Sequence, residues 1–277
     1  MSNIKQFFEQ DNVKKRFQSM LGSRSTQFIT SVLQIASSNK LFVNVDAVSV
    51  YNSAAIAATL DLPLNNNLGF AWIVPFGGKA QFQLGWKGFV QLAQRTGQYQ
   101  RINVTEVYEN QFKSWNSLTE ELNADFSIDG SGLVVGYCAY FRLNNGFEKV
   151  VYWSREKVLA HGKKYSKSFN SGPWKTEEVA MCKKTVLKHM LSQWGILSIE
   201  MQMAMKVDQS AINDDKAEDV VYIDSPDNAV DKEYERVKLL IQDCKSRDEL
   251  TNLRENTPTE LVDKCSDLFN DKYSSLK

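Results

Sequence analysis

Lys79, Gln81, Gln83, Trp86, Lys87, Gln91 and Arg95 fall in a stretch with no carboxylate, and a second series follows: Lys157, Lys163, Lys164, Tyr165, Lys167, Trp174, Lys183, Lys184 and Lys188. Cations and amide donors at such spacing can neutralise and hydrogen-bond phosphates, while aromatic faces support unstacked bases. That is the chemistry of a surface that holds nucleic acid without reading its sequence. Each charge alone is equally well explained as part of a solvated face, and Trp86 and Trp174 by burial. The complete lack of Asp and Glu over residues 62–105, where Lys79, Lys87, Arg95 and Arg101 occur, is harder to explain that way.

Over the whole chain 33 Lys and Arg balance 33 Asp and Glu, so the asymmetry is local. Residues 155–206 carry ten Lys and Arg against four Glu, a net of +6; residues 207–231 carry eight acids against Lys216, a net of −7. A basic body is therefore joined to an acidic segment.

Catalytic constellations are poorly supported. There is no G-x-x-x-x-G-K-[ST] phosphate loop, and Gly77-Gly78-Lys79 reads as a turn. His161 and His189 are the only histidines, stand in no metal-ligand spacing, and read as structural or solvent-facing. Acid-x-Lys pairs of the kind a metal-dependent nuclease uses occur at Asp214 and Lys216 and at Asp243 and Lys245, in the acidic segment and a terminal helix, where neither context suits the chemistry. Cys138, Cys182, Cys244 and Cys265 are too far apart for a C-x-x-C motif and read as packing thiols.

The elements that must position the basic residues follow from periodicity. Val13, Phe17, Met20 and Leu21, then Phe28, Val32 and Ile35, then SAAIAATL predict three short helices. LGFAWIVPFGGKAQFQL (68–84) predicts a β-hairpin turning at Gly77-Gly78. Trp86, Phe89, Val90 and Ala93 then form the apolar face of a helix ending near Gly97, whose other face carries Lys87, Gln91, Gln94 and Arg95. INVTEVY (102–108), LVVGYCAYFRL (133–143) and FEKVVYW (147–153) predict an antiparallel sheet, with Asn144-Asn145-Gly146 as a hairpin turn. Ser154 caps a helix over 154–161, and another runs from about Thr176 to Trp194. In that last helix Val179, Cys182, Val186 and Met190 form the buried stripe, with Lys184 and Lys188 one turn apart on another face.

The predicted fold class is α+β: N-terminal helices, hairpin and antiparallel sheet packed with helices around a basic groove. The predicted division is a core over residues 1–206, an acidic flexible linker over 207–230 and a small helical module over 231–277. The module's helices are expected near 231–244, 247–255 and 258–272. No run of about 18 apolar residues exists and the N-terminus lacks an apolar signal core, so a cytoplasmic protein is expected.

In order, LDLPLNNNLGFAWIVPF, QFQLGWKGFVQLAQRTGQYQRI, GYCAYFRLNNG, YSKSFNSGPW and MCKKTVLKHM resemble the RecT family of phage single-strand annealing recombinases, over roughly residues 10–208. The matching positions are Leu60-Asp61-Leu62-Pro63, Gly69-Phe70-Ala71-Trp72-Ile73-Val74-Pro75-Phe76, Gly85-Trp86-Lys87-Gly88, Arg95-Thr96-Gly97, Tyr165-Ser166, Pro173-Trp174 and Lys184-Thr185-Val186-Leu187-Lys188. Trp72 and Trp86 stand where the family commonly has Tyr, which preserves stacking area, and Gly195-Ile196-Leu197 replaces a Pro-rich turn. The resemblance implies ATP-independent annealing of complementary single strands into duplex DNA, without covalent catalysis and without a cofactor. It implies assembly into rings or helical filaments, and a phage exonuclease and the host single-stranded-DNA-binding protein as partners in a bacterial cytoplasm. A passive single-strand coater and, more remotely, a metal-dependent nuclease are the alternatives.

Overall fold

The computed structural model describes residues 3–65, 67–212, 220–221, 237–238, 240–244, 246–257, 262 and 265–275. The chain divides into two compact units, Met1–Asp224 and Ser225–Lys277. The first is α+β, as the sequence predicts.

It opens with α1 (Asn3–Phe8), α2 (Asp11–Leu21), α3 (Ser25–Ser38) and α4 (Ala47–Thr59). Phe8, Phe17 and Tyr51 join the first, second and fourth through edge and stacked ring contacts. Asp46 caps α4 by accepting from the amides of Val48 and Ser49. The Ala-rich sequence of α4 lets backbone come close, and Ala54, Ala55, Ile56, Ala57 and Ala58 are all buried.

β1 (Ala71–Phe76) and β2 (Lys79–Leu84) form the predicted hairpin, with Gly77 and Gly78 at φ 56° and 77°. Its register pairs Trp72 with Gln83, Val74 with Gln81 and Phe76 with Lys79. Alternation therefore puts those six on one face and Ala71, Ile73, Ala80, Phe82 and Leu84 on the other, which is core. The Ala80 amide donates to Ser49 Oγ at 2.8 Å, tying β2 to α4.

α5 (Trp86–Arg95) starts directly from Gly85. β3 (Tyr99–Tyr108), β6 (Val134–Leu143) and β7 (Glu148–Ser154) form an antiparallel sheet in the order β3-β6-β7. Between β3 and β6 lies a small hairpin, β4 (Phe112–Asn116) and β5 (Glu121–Ala124), which periodicity did not reveal. Its Phe112 and Trp115 pack on Tyr152.

α6 (Arg155–Tyr165) is capped by Ser154, as predicted. The next helix is broken: a short α7 (Pro173–Thr176) precedes α8 (Glu178–Trp194), so Thr176 ends one helix instead of capping the other. Cys182, Val186 and Met190 are buried, but Val179 in the first turn is 42% exposed; Met181, Leu187 and Leu191 complete the buried side. α9 (Ile199–Val207) follows.

Val207, Asp208 and Ser210, the first residues of the acidic stretch, are buried. The Phe82 amide donates to Ser210 O and the Gln209 amide donates to Phe82 O, so this strand lies beside β2. Most of the predicted linker, residues 213–219 and 222–230, lies outside the described residues.

In the second unit Val237, Ile241, Leu250, Cys265 and Phe269 form a small core. Helix Arg247–Glu255, capped by Ser246, matches its predicted span, and helix Ser266–Ser275 follows. Residues 231–236, 239, 258–261, 263 and 264 of the other two predicted spans lie outside the described residues. Among the described residues no helix is long and apolar enough to cross a membrane.

Candidate nucleic-acid interface

Lys184 and Lys188 are one turn apart on α8, and that spacing brings both ammonium groups to Asp208. Lys184 Nζ is 2.7 Å from Asp208 Oδ1 and Lys188 Nζ is 2.8 Å from Oδ2. The Leu84 amide also donates to Oδ1, at 2.9 Å. One carboxylate thus ties the end of β2 to α8 and to the residue after α9. The side chains of Asp208 and Lys184 are 0% and 6% exposed and that of Lys188 is 31% exposed. Burial acts to raise the Asp208 pKa, but the two ammonium groups outweigh it and hold the carboxyl below the usual carboxylate range. Burial, with Lys188 beside it, lowers the Lys184 pKa against the pull of Asp208; with both ammonium groups charged the cluster is net positive, with Lys188 at its open side.

A cavity of about 240 Å³ opens there, lined by both lysines together with Trp153, His161, Tyr165, Ser166, Trp174 and His189. Ring centroids of Trp153 lie 5.4 Å from His161 and 4.8 Å from His189, and those of His161 and Tyr165 are 4.6 Å apart. Lys157 stands over the Trp153 ring at 4.5 Å and Lys164 over Tyr165 at 4.9 Å. Burial lowers the pKa of both histidines; His189, Lys188 and Lys164 lower His161 further, and Lys157 does the same for His189. The two histidines that spacing left as isolated residues therefore share one basic, aromatic recess. No motif announced it, because Trp153 and His161 come from consecutive elements and His189 from a third.

A second cavity, of about 390 Å³, lies between the hairpin and the start of α8, lined by Trp72, Val74, Gln83, Trp86, Pro173 and Ala180 among others. Met181 and Lys184 line both cavities, so the two adjoin across α8. Trp86 lies between two cations, Lys87 at 5.8 Å and Lys183 at 5.6 Å from its ring. Lys183 also pairs with Glu106 at 2.7 Å.

Other predicted site residues are placed elsewhere. Arg95 is engaged at the end of α4: its guanidinium donates to the carbonyls of Leu60 at 2.7 Å and Asp61 at 2.8 Å, and it pairs with the Asp61 carboxylate at 3.9 Å. It closes the C-terminal end of α4, where unsatisfied carbonyls favour a cation, and Asp61 there adopts φ 49°. Gln81 is 1% exposed within the hairpin, and its Nε2 has no hydrogen-bond partner. Trp174, 5% exposed, packs on Gly162 and Phe169, so it serves the core and only edges the cavity. Lys79 and Gln91 are half-buried on β2 and α5; Lys163 and Lys167 are exposed at and beyond the end of α6.

The model of the RecT family matches residues 26–221, which contain both cavities and the Asp208 cluster. Over 204 residues the chain is 52% identical to the uncharacterized protein YqaK of Bacillus subtilis strain 168, covering 74% of this chain and 71% of that one. It is 26% identical over 221 residues to Protein RecT of Escherichia coli K12, covering 75% of this chain and 81% of that one. The order of motifs and the extent of the match agree: the chain belongs to the RecT family.

Proposed function

We propose that this protein binds single-stranded DNA along the α6 and α8 side of its first unit and promotes pairing of complementary strands in homologous recombination, without nucleotide hydrolysis. The observation that carries the reading is the grouping of Lys157, Lys164, Lys184 and Lys188 with Trp153, Tyr165 and two histidines around one recess, inside the region that the family shares. Lys163 and Lys167, exposed at and beyond the end of α6, and exposed Lys87 beside Trp86 add positive charge, whereas Lys183 is balanced by Glu106.

Lysines neutralise the phosphates of one strand and leave most of its bases accessible. A second strand then pairs with them, and stacking at about 1.4 kcal/mol per step supplies the driving force. Specificity resides in the pairing, so the protein has no need to read base edges. Side-by-side copies would carry a continuous strand in a ring or filament. The Ser225–Lys277 unit is suited to hold partners, an exonuclease and a single-stranded-DNA-binding protein among them.

Mixing complementary labelled strands with and without the protein tests this reading. Annealing proceeds faster with it; a passive coater slows duplex formation, and a nuclease shortens the strands in magnesium.

A further inference from the structure

The cavity beside the hairpin has a built floor. The Trp72 indole lies against the backbone at Gly85: a Cβ there would come within 2.5 Å of Cζ3 and 2.8 Å of Cη2 of that ring, and within 2.2 Å of the Gly69 carbonyl oxygen. Only a glycine leaves room, so the chain at residues 69 and 85 forms a seat for the ring. Trp72 remains half-buried and lines the cavity, so part of its surface is open. Gln83 brings an amide to the same wall, and Met181 and Pro173 close the apolar side. At one end lies Lys184, shared with the recess that also holds Lys188.

A mainly apolar slot with a seated indole, an amide on its wall and ammonium groups next door fits an uncharged ring attached to a phosphate. Glu177 at the lining opposes a phosphate inside the slot. We propose that this slot receives one unstacked nucleobase of the bound strand, its ring against Trp72 and its phosphate toward Lys188. The inference rests on the DNA reading above and adds to it a base-holding site distinct from the phosphate contacts. Holding a base in each subunit would set the spacing of the strand along an assembly.

The test measures affinity of the full chain for an oligothymidylate and for an abasic oligonucleotide of equal length. Trp72→Leu removes the stacking face, and Ala180→Phe fills the slot from α8 without touching the seat. Each is expected to weaken oligothymidylate binding roughly 5- to 150-fold, the range for loss of one stacked base, and to leave abasic binding unchanged. If Trp72→Leu does not fold, Ala180→Phe carries the comparison. Folded variants that bind oligothymidylate like the unmodified protein, or that lose equally on both ligands, overturn the slot while the DNA reading stands. Altered subunit association with intact DNA affinity overturns it too, assigning the cavity to a protein segment. Failure of the unmodified protein to bind oligothymidylate removes the DNA reading itself.

Discussion

Asp208 and Lys184 are 2.7 Å apart with both side chains withdrawn from solvent, and the carboxylate comes from a stretch whose composition reads as linker. A lone ammonium in that position would be costly to bury, and a second one, Lys188, shares the same anion. The acid is therefore part of what allows the basic helix to pack.

Replacing Asp208 by Asn should strand two cations. The expected loss is about 3–5 kcal/mol of folding stability, read from urea unfolding. Acid acts the same way: because the Asp208 pKa is depressed in the folded state, its contribution is present above the unfolded value of about 3.9 and is lost as pH falls through the folded one. An unchanged unfolding midpoint for Asp208→Asn would contradict this role.

Truncation should expose the same dependence. A fragment ending at Asp224 keeps the whole first unit and is expected to fold and anneal DNA, whereas one ending at residue 206 loses Asp208 and the Ser210 bridge to Phe82 and is expected to unfold. Circular dichroism of the two fragments decides it; a folded, active shorter fragment would show the cluster to be dispensable.

Arg95 and Lys157 should separate stability from binding. Arg95→Ala removes charged hydrogen bonds to the end of α4 and should cost about 1–2 kcal/mol while leaving the salt dependence of DNA binding intact. Lys157→Ala should leave stability nearly unchanged and reduce the slope of log affinity against log salt by about 0.7, one single-strand phosphate. The opposite assignment of the two effects would reject the interface as drawn.

The two histidines predict a pH effect on the free protein. Their pKa values are lowered in the folded state, so the unfolded chain takes up protons first as pH falls below about 6.5 and stability declines there. Lys188 and Lys164 face His161, Lys157 and Glu120 face His189, and Trp153 touches both. Unfolding curves at about pH 7.5 and about pH 5.5 should differ, and a His161→Gln, His189→Gln double variant should narrow the gap. An equal gap in the variant would place the acid sensitivity elsewhere.

Local patterns were legible wherever one periodicity governs. The hairpin turn at Gly77-Gly78, the apolar face of α5, the Ser154 cap and the helix over 247–255 all follow from short-range spacing. The site was legible as a charge distribution but not as an arrangement. Arg95 shares a helical stripe with Lys87, yet which cation meets a carbonyl depends on where α4 ends, some thirty-five positions earlier in the chain. Spacing puts Lys184 off the buried stripe and among the DNA-contacting residues, because its partner, Asp208, lies beyond an intervening helix in a run of acids. The β4–β5 hairpin escaped because its strands are short and mostly exposed, leaving little alternation to read.

The lysine and aromatic face on α6 and α8 is proposed to hold a strand ready for pairing. The rate of duplex formation from complementary labelled strands, without ATP, tests it most directly when the unmodified protein is compared with a folded Lys157→Ala, Lys164→Ala, Lys188→Ala variant. The unmodified protein is expected to accelerate annealing and the variant to lose most of the acceleration, whereas Arg95→Ala retains it. A variant that anneals as fast as the unmodified protein would rule out this face as the strand-holding surface, and an unmodified protein that slows pairing would rule out annealing itself.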